Sequence, residues 1–163
     1  MTTFDTSEAG ASPASEASER ELSSIFFDMF APADPAFAVG NPSPDGPRPV
    51  GVEAYFAGRI QSNDLVSHKT SDGIRLTIFN IAPGTVLPRH RHDVDYIEFV
   101  LEGEVHMGSR VVRKGGGVFR KAGTVYTYYA GPEGAVVADF RAHTFYRTEW
   151  VDDPANFPPH KEF

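Results

Sequence analysis

Hydrophobic positions along this chain follow two different periods. Leu22, Ile25, Phe26, Met29 and Phe30 fall at i, i+3, i+4, i+7 and i+8, one face of a helix. Ser18 with Glu21 three residues on is a capping-box signature for its start, and Pro32 stops it. After residue 50 no segment holds a helical period for three turns. Short runs rich in β-branched and aromatic residues replace it, broken by turn signals at Asp72-Gly73, Pro83-Gly84, Gly103, Gly108-Ser109, the Gly115-Gly116-Gly117 run, Gly123 and Gly131-Pro132. The pattern predicts strands near 53–58, 64–69, 73–82, 85–92, 95–102, 104–107, 110–113, 117–120, 124–130 and 134–143. Many short strands at this spacing, with no internal repeat, indicate an all-β sandwich or barrel.

The chain ahead of the strands differs in character. Residues 1–17 are rich in Ser, Ala and Glu and nearly free of large apolar residues, so they cannot bury enough surface to offset their ordering entropy and read as a disordered tail. Residues 31–50 hold six of the thirteen prolines and read as an extended connector. The expected plan is a tail (1–17), a short helix with a proline-rich arm (18–50), a β domain (51–150) and a C-terminal extension (151–163). A chain of 163 residues suits one sizeable core. The apolar helix must dock somewhere, either on its own domain or on a partner.

Charge changes this picture little. Of the net charge of −7, much belongs to the tail, where Asp5, Glu8, Glu16, Glu19 and Glu21 face Arg20 alone. No basic stripe suits a nucleic acid, no run approaches the ~20 apolar residues of a membrane span, and no apolar leader suggests secretion. The expectation is a cytoplasmic protein. The absence of cysteine excludes disulfides and thiolate chemistry, so any metal site must be built from His, carboxylate or Tyr.

One stretch carries candidate chemistry: PRHRHDVDYIEFVLEGE, residues 88–104. On a strand, side chains at i and i+2 share a face, so His90 and His92 can converge on one ion if they point inward. The alternative puts both on the solvent face among Arg89, Arg91 and Asp93. Imidazole suits Fe, Ni, Cu, Zn and, less tightly, Mn.

Context extends the motif. Gly84, His90, His92 and Gly103 resemble, in residue type and spacing, the first motif of the cupin superfamily. Gly115, Lys121-Ala122-Gly123 and Tyr126 partly resemble the second. The resemblance covers about residues 73 to 142 and implies a double-stranded β-helix, or jelly-roll, barrel holding one divalent metal. Two of the four usual ligands are replaced, since the family's Glu position is Tyr96 and its third His is Tyr126, and its second-motif Pro is Lys121. The metal set implied is His90 and His92 with Glu98 or Tyr126. Glu98 lies one pleat beyond the family position, so it needs a bulge to reach the ion. Otherwise it is a buried, hydrogen-bonded carboxylate or faces solvent. Tyr126 would ligate as a phenolate, or else simply fill barrel volume. Tyr96 and Tyr128 would give a phenol-rich rim for substrate, with Tyr96 or Glu98 handling a proton.

The remaining histidines read as structural or surface groups. His106 falls on the outer face of a half-buried strand. His143 alternates with Asp139 and Arg141, a polar face opposite Ala138, Phe140 and Ala142. His68 and His160 lie in segments without a supporting pattern, and Asp93 and Asp95 read as solvated turn residues.

Three functions follow. The first is a non-haem iron dioxygenase acting on a small carbonyl, enol or phenol, with Fe(II) as the favoured ion. The second is a non-redox lyase, isomerase or cyclase using Zn, Mn or Ni, with a tyrosine phenolate as base. The third is a barrel that only binds a small ligand. A small-molecule substrate and a homodimer are expected in the first two.

Overall fold

The computed structural model of the protein describes residues 38–39, 49–66 and 73–163. The expected tail, the 18–30 helix, most of the proline-rich arm and His68 lie outside the described residues. Among the described residues, nine strands form one curled antiparallel sheet: β1 (Ala38–Val39), β2 (Ile60–Val66), β3 (Arg75–Ile81), β4 (Val86–His92), β5 (Tyr96–Met107), β6 (Arg110–Arg113), β7 (Gly117–Arg120), β8 (Tyr126–Arg141) and β9 (Thr148–Trp150). β8 is the spine. β4 and β3 pair in turn along one of its edges, and β5 along the other. This is the all-β jelly-roll barrel expected from the sequence. Among the described residues, no helix is long and apolar enough to cross a membrane.

Two expected breaks are bends inside longer strands. β5 passes through Gly103 and β8 through Gly131-Pro132, with register shifts near Gly103 where the strands curl. Gly103 has φ +69°, and a Cβ there would lie 2.1 Å from the carbonyl oxygen of Gly134. Only glycine lets the two backbones meet so closely.

The strand expected at 53–58 is instead a short helix, α1 (Val52–Phe56). Val52, Tyr55 and Phe56 stand at i, i+3 and i+4, a helical spacing in a run too short to be distinctive. Gly51 takes a left-handed conformation, and its carbonyl accepts from the Tyr55 N–H at 2.9 Å. Val52 is buried, while the rings of Tyr55 and Phe56 meet Phe157 and Trp150. The C-terminal extension thus holds α1 in place. Its Lys161 N–H donates to Gly84 O at 2.8 Å, and Nδ1 of His160 accepts from the Val86 N–H at 3.2 Å. His160 is therefore a fastening of this strap.

The interior is divided along its length. One part is apolar, with Ile81, Val100, Val105, Tyr128 and Val137 packed together. Each such side chain contributes about 1.5–3 kcal/mol by its removal from water. The other part is ionic. Strand register sets Arg75, Arg141, Tyr96 and Arg120 in one inward row, and Asp64, Thr77, Asp139 and Glu98 in the next. This overturns the expected orientation of β8. Asp139 and Arg141 are buried inside, while Phe140 between them is 40% exposed on the outer face. Its outer neighbours in register are Ile97 and Leu76, and Phe119 follows beyond Ile97. Alternation told which residues share a face, but not which face is inward.

Candidate metal centre

β4 turns His90 and His92 into the barrel, leaving them 3% and 8% exposed. The alternate residues Arg89 and Arg91 point outward and are held there by Asp152 and Glu149, at 2.5 and 2.6 Å. The shared face of the pair is thus the interior, as a metal site requires.

Hydrogen bonds set the tautomers. Nδ1 of His90 lies 2.7 Å from the carbonyl oxygen of Pro88, and Nδ1 of His92 lies 3.3 Å from that of Arg147. A carbonyl can only accept, so Nδ1 of His90 carries the hydrogen and its Nε2 presents a lone pair. Nδ1 of His92 also meets the Thr148 hydroxyl at 3.2 Å, a group that can donate or accept. Both Nε2 atoms face one atom, the hydroxyl oxygen of Tyr126, at 2.7 and 3.2 Å. The Tyr96 hydroxyl also donates to that oxygen. Tyr126 has a single hydroxyl hydrogen, and Nε2 of His90 is placed to accept it. These two imidazole nitrogens and the phenol oxygen are the groups that could hold a divalent cation here.

The electrostatics fit the same reading. Burial pulls His90 down to about 4 and His92 down to about 2, helped in both cases by the nearby Arg141 and Arg120. Both are neutral at pH 7, as ligands must be. Burial also holds the phenols of Tyr96 and Tyr126 above their ordinary range. The Arg120 guanidinium lies 3.6 Å over the Tyr126 ring and opposes that rise.

Glu98 is placed differently from the expected ligand. The β5–β8 register is regular from Tyr96 to Val100 and shifts only after it, so no bulge slides Glu98 toward the histidines. Among the described residues, no three His, Cys, Asp or Glu side chains are grouped so that they could hold an ion. Glu98 instead lines the cavity 3.6 Å from Arg120, too long for a hydrogen bond, with Oε1 unpartnered. Burial, and then Asp139 beside it, pushes its carboxyl up to about 8.

Of the two tyrosines expected to meet substrate, one lines the cavity. Tyr128 does so as a buried side chain stacked on Tyr126, with centroids 6.2 Å apart and planes at 9°. Tyr96 does not line the cavity; its hydroxyl is engaged by Tyr126. His106 pairs with Glu104 at 2.7 Å and stacks on Tyr129, away from the site. His143 is exposed past the end of β8. Asp93 and Asp95 accept from the Arg147 and Ala122 N–H groups, each at 2.7 Å, and so fasten loops.

The site opens on a cavity of about 390 Å³. Sequence reasoning missed Asp64, Arg75, Asp139, Arg141 and Trp150, all of which line it. The one signal available was the run of charges at i and i+2 in strand segments, which reads equally well as a solvated face.

Comparison with protein-family models and with curated proteins returns no match. Solved structures do match the fold. An RmlC-like cupin protein of Ralstonia eutropha superposes with a TM-score of 0.50 at 19% identity, over 65% of this chain and 68% of that one. The DMSP lyase DddQ of Ruegeria pomeroyi gives a TM-score of 0.51 at 20% identity, over 60% of this chain and 54% of that one. The chain therefore has a cupin fold, and it spans about half the length of the lyase.

Proposed function

We propose that this chain is a metal-dependent enzyme in which His90, His92 and Tyr126 hold one divalent ion, and that it transforms a small carbonyl compound by proton transfer, as a lyase, isomerase or cyclase. The observation that carries this reading is the convergence of two buried imidazole Nε2 atoms on one phenol oxygen inside the barrel. When bound, the ion would act as a Lewis acid on a substrate oxygen.

The rest is the work of the chain's own groups. Pro88 and Arg147 hold the two Nδ1–H groups and so aim both Nε2 atoms. Tyr96 donates to the Tyr126 oxygen and Arg120 lies over its ring, and both oppose the rise that burial imposes on this phenol. Glu98 faces the cavity with a carboxyl raised close to neutrality, the range in which a general acid or base works. The apolar wall of Phe56, Phe79, Leu87 and Trp150 limits water around the reacting group.

A second reading, the iron dioxygenase, is favoured by the few protein donors at the centre, which leave positions for both substrate and oxygen. It ranks lower because the carboxylate of a two-histidine, one-carboxylate iron site is not supplied by Glu98. Elemental analysis of the protein purified without added metal, beside His90→Ala/His92→Ala, tests the centre. Near-stoichiometric metal lost in the double variant supports it, and the element separates Zn, Mn or Ni from Fe(II). Dioxygen uptake during turnover would favour the second reading. No metal in either protein would overturn both and leave a barrel that only binds a small ligand.

A further inference from the structure

Arg141 is the largest side chain fully enclosed by the barrel, at 1% exposure. Its Nη2 meets Oδ2 of Asp139 at 2.8 Å, and the rings of Tyr96 and Tyr146 lie 4.3 and 4.0 Å from its guanidinium carbon. The plane is thus held in position, yet Nε and Nη1 have no partner. A buried donor on a charged group left unpaired carries its full desolvation penalty, so the arrangement calls for an acceptor.

Acceptors within the cavity do not supply it. Oδ1 of Asp139 is itself buried and unpartnered, and Oε1 of Glu98 has only the Arg120 ion pair at 3.6 Å; the two residues face each other across the β5–β8 pairing. The cavity therefore presents spare cationic donors beside carboxyl groups with accepting capacity left over. Arg75, by contrast, is satisfied by Asp64, Thr77 and the Thr144 carbonyl. The cavity wall also has an apolar part, formed by Phe56, Phe79, Leu87 and Trp150.

We infer that the cavity takes a small amphiphilic hydroxycarboxylate, with its carboxylate on the unpartnered Nη1 of Arg141, its hydroxyl donating to Asp139 or Glu98, and its apolar body against Phe56, Phe79 and Trp150. A guanidinium N–H to a carboxylate is a charge-assisted hydrogen bond, roughly twice as strong as a neutral one. A volume of about 390 Å³ accommodates a ring-sized body with such a head group. This names a substrate class for the proposed metal centre and extends that reading, but the contacts it invokes are independent of the ion.

Trp150 is the sole tryptophan of the chain and lines the cavity, so its fluorescence reports occupancy without any activity. The full chain is titrated with 3-phenyllactate, 3-phenylpropionate and 3-phenylpropane-1,2-diol, both as purified and after chelation. The expected result is saturable quenching by 3-phenyllactate, with the diol about tenfold weaker for want of a carboxylate and 3-phenylpropionate between them. Arg141→Lys should erase the preference for acid over diol. If that variant does not fold, the ligand series on the unaltered chain still decides. Equal binding of acid and diol, or no response to any of the three, overturns the inference. An acid preference that vanishes on chelation overturns it too, because the carboxylate then sits on the ion and the metal reading stands alone. Loss of the metal reading with the acid preference intact would leave this inference standing.

Discussion

The hydroxyl oxygen of Tyr126 lies 2.7 Å from Nε2 of His90, whose other ring nitrogen is fastened to Pro88. His92 reaches the same oxygen at 3.2 Å, so a tyrosine meets a histidine pair more than thirty residues away in the chain.

A count of protons tests that arrangement. Both imidazoles are already neutral at pH 7 and keep their Nδ1 hydrogens, so they release nothing on binding an ion. Tyr126 must release one. Calorimetric titration of the chelated protein with Zn²⁺, in buffers of differing ionisation enthalpy, should give about one proton per ion. Tyr126→Phe should release none and bind about 10–100-fold more weakly, as for loss of a well-placed group at a metal site.

Glu98 makes stability depend on pH with a definite sign. Its carboxyl is raised from 4.5 to about 8, so between those values the native state holds a proton that the unfolded state has lost. Stability therefore falls as pH rises through that window. The histidines act oppositely at lower pH, since they are held neutral and lose stability as pH falls below 6.5 toward 4. From pH 6.5 to 8 the Glu98 contribution should dominate, costing about 2 kcal/mol. Urea midpoints of chelated protein across that range should decline for the wild type and stay nearly level for Glu98→Gln.

Neighbouring residues on β8 should respond in opposite ways. Phe140 is 40% exposed, so Phe140→Ser should cost less than about 1 kcal/mol. Arg141→Met leaves Asp139 buried without its partner and should cost about 3–5 kcal/mol. Thermal or urea denaturation of the two variants checks the orientation of the strand directly.

Gly103→Ala should be strongly destabilising for its size. The added Cβ meets the Gly134 carbonyl oxygen at 2.1 Å, and the left-handed φ adds its own cost. A loss of about 2–4 kcal/mol is expected. Gly108 also has a positive φ but nothing within 4 Å, so Gly108→Ala should cost about 1 kcal/mol and separates backbone strain from the clash.

The sequence by itself determined the fold class and the pairing of the two histidines. Period-two alternation and glycine-marked turns are local properties, and residues two apart on a strand share a face whatever the rest of the chain does. The Gly84, His90, His92 and Gly103 spacing was likewise a statement about one short stretch of chain, two consecutive strands that do not pair with each other. Tertiary structure decided the direction of each face and the partners across it. Asp139 and Arg141 alternate with Ala138 and Phe140 in either orientation, and only the curl of β8 between β3 and β5 puts the charges inside. The register that leaves Glu98 beside Arg120 rather than at the histidines is set by where β5 shifts against β8, after Val100 and not before. Closure of the barrel brings Tyr126 to His90 and His92, because only pairing between distant strands can place side chains so far apart in sequence around one point.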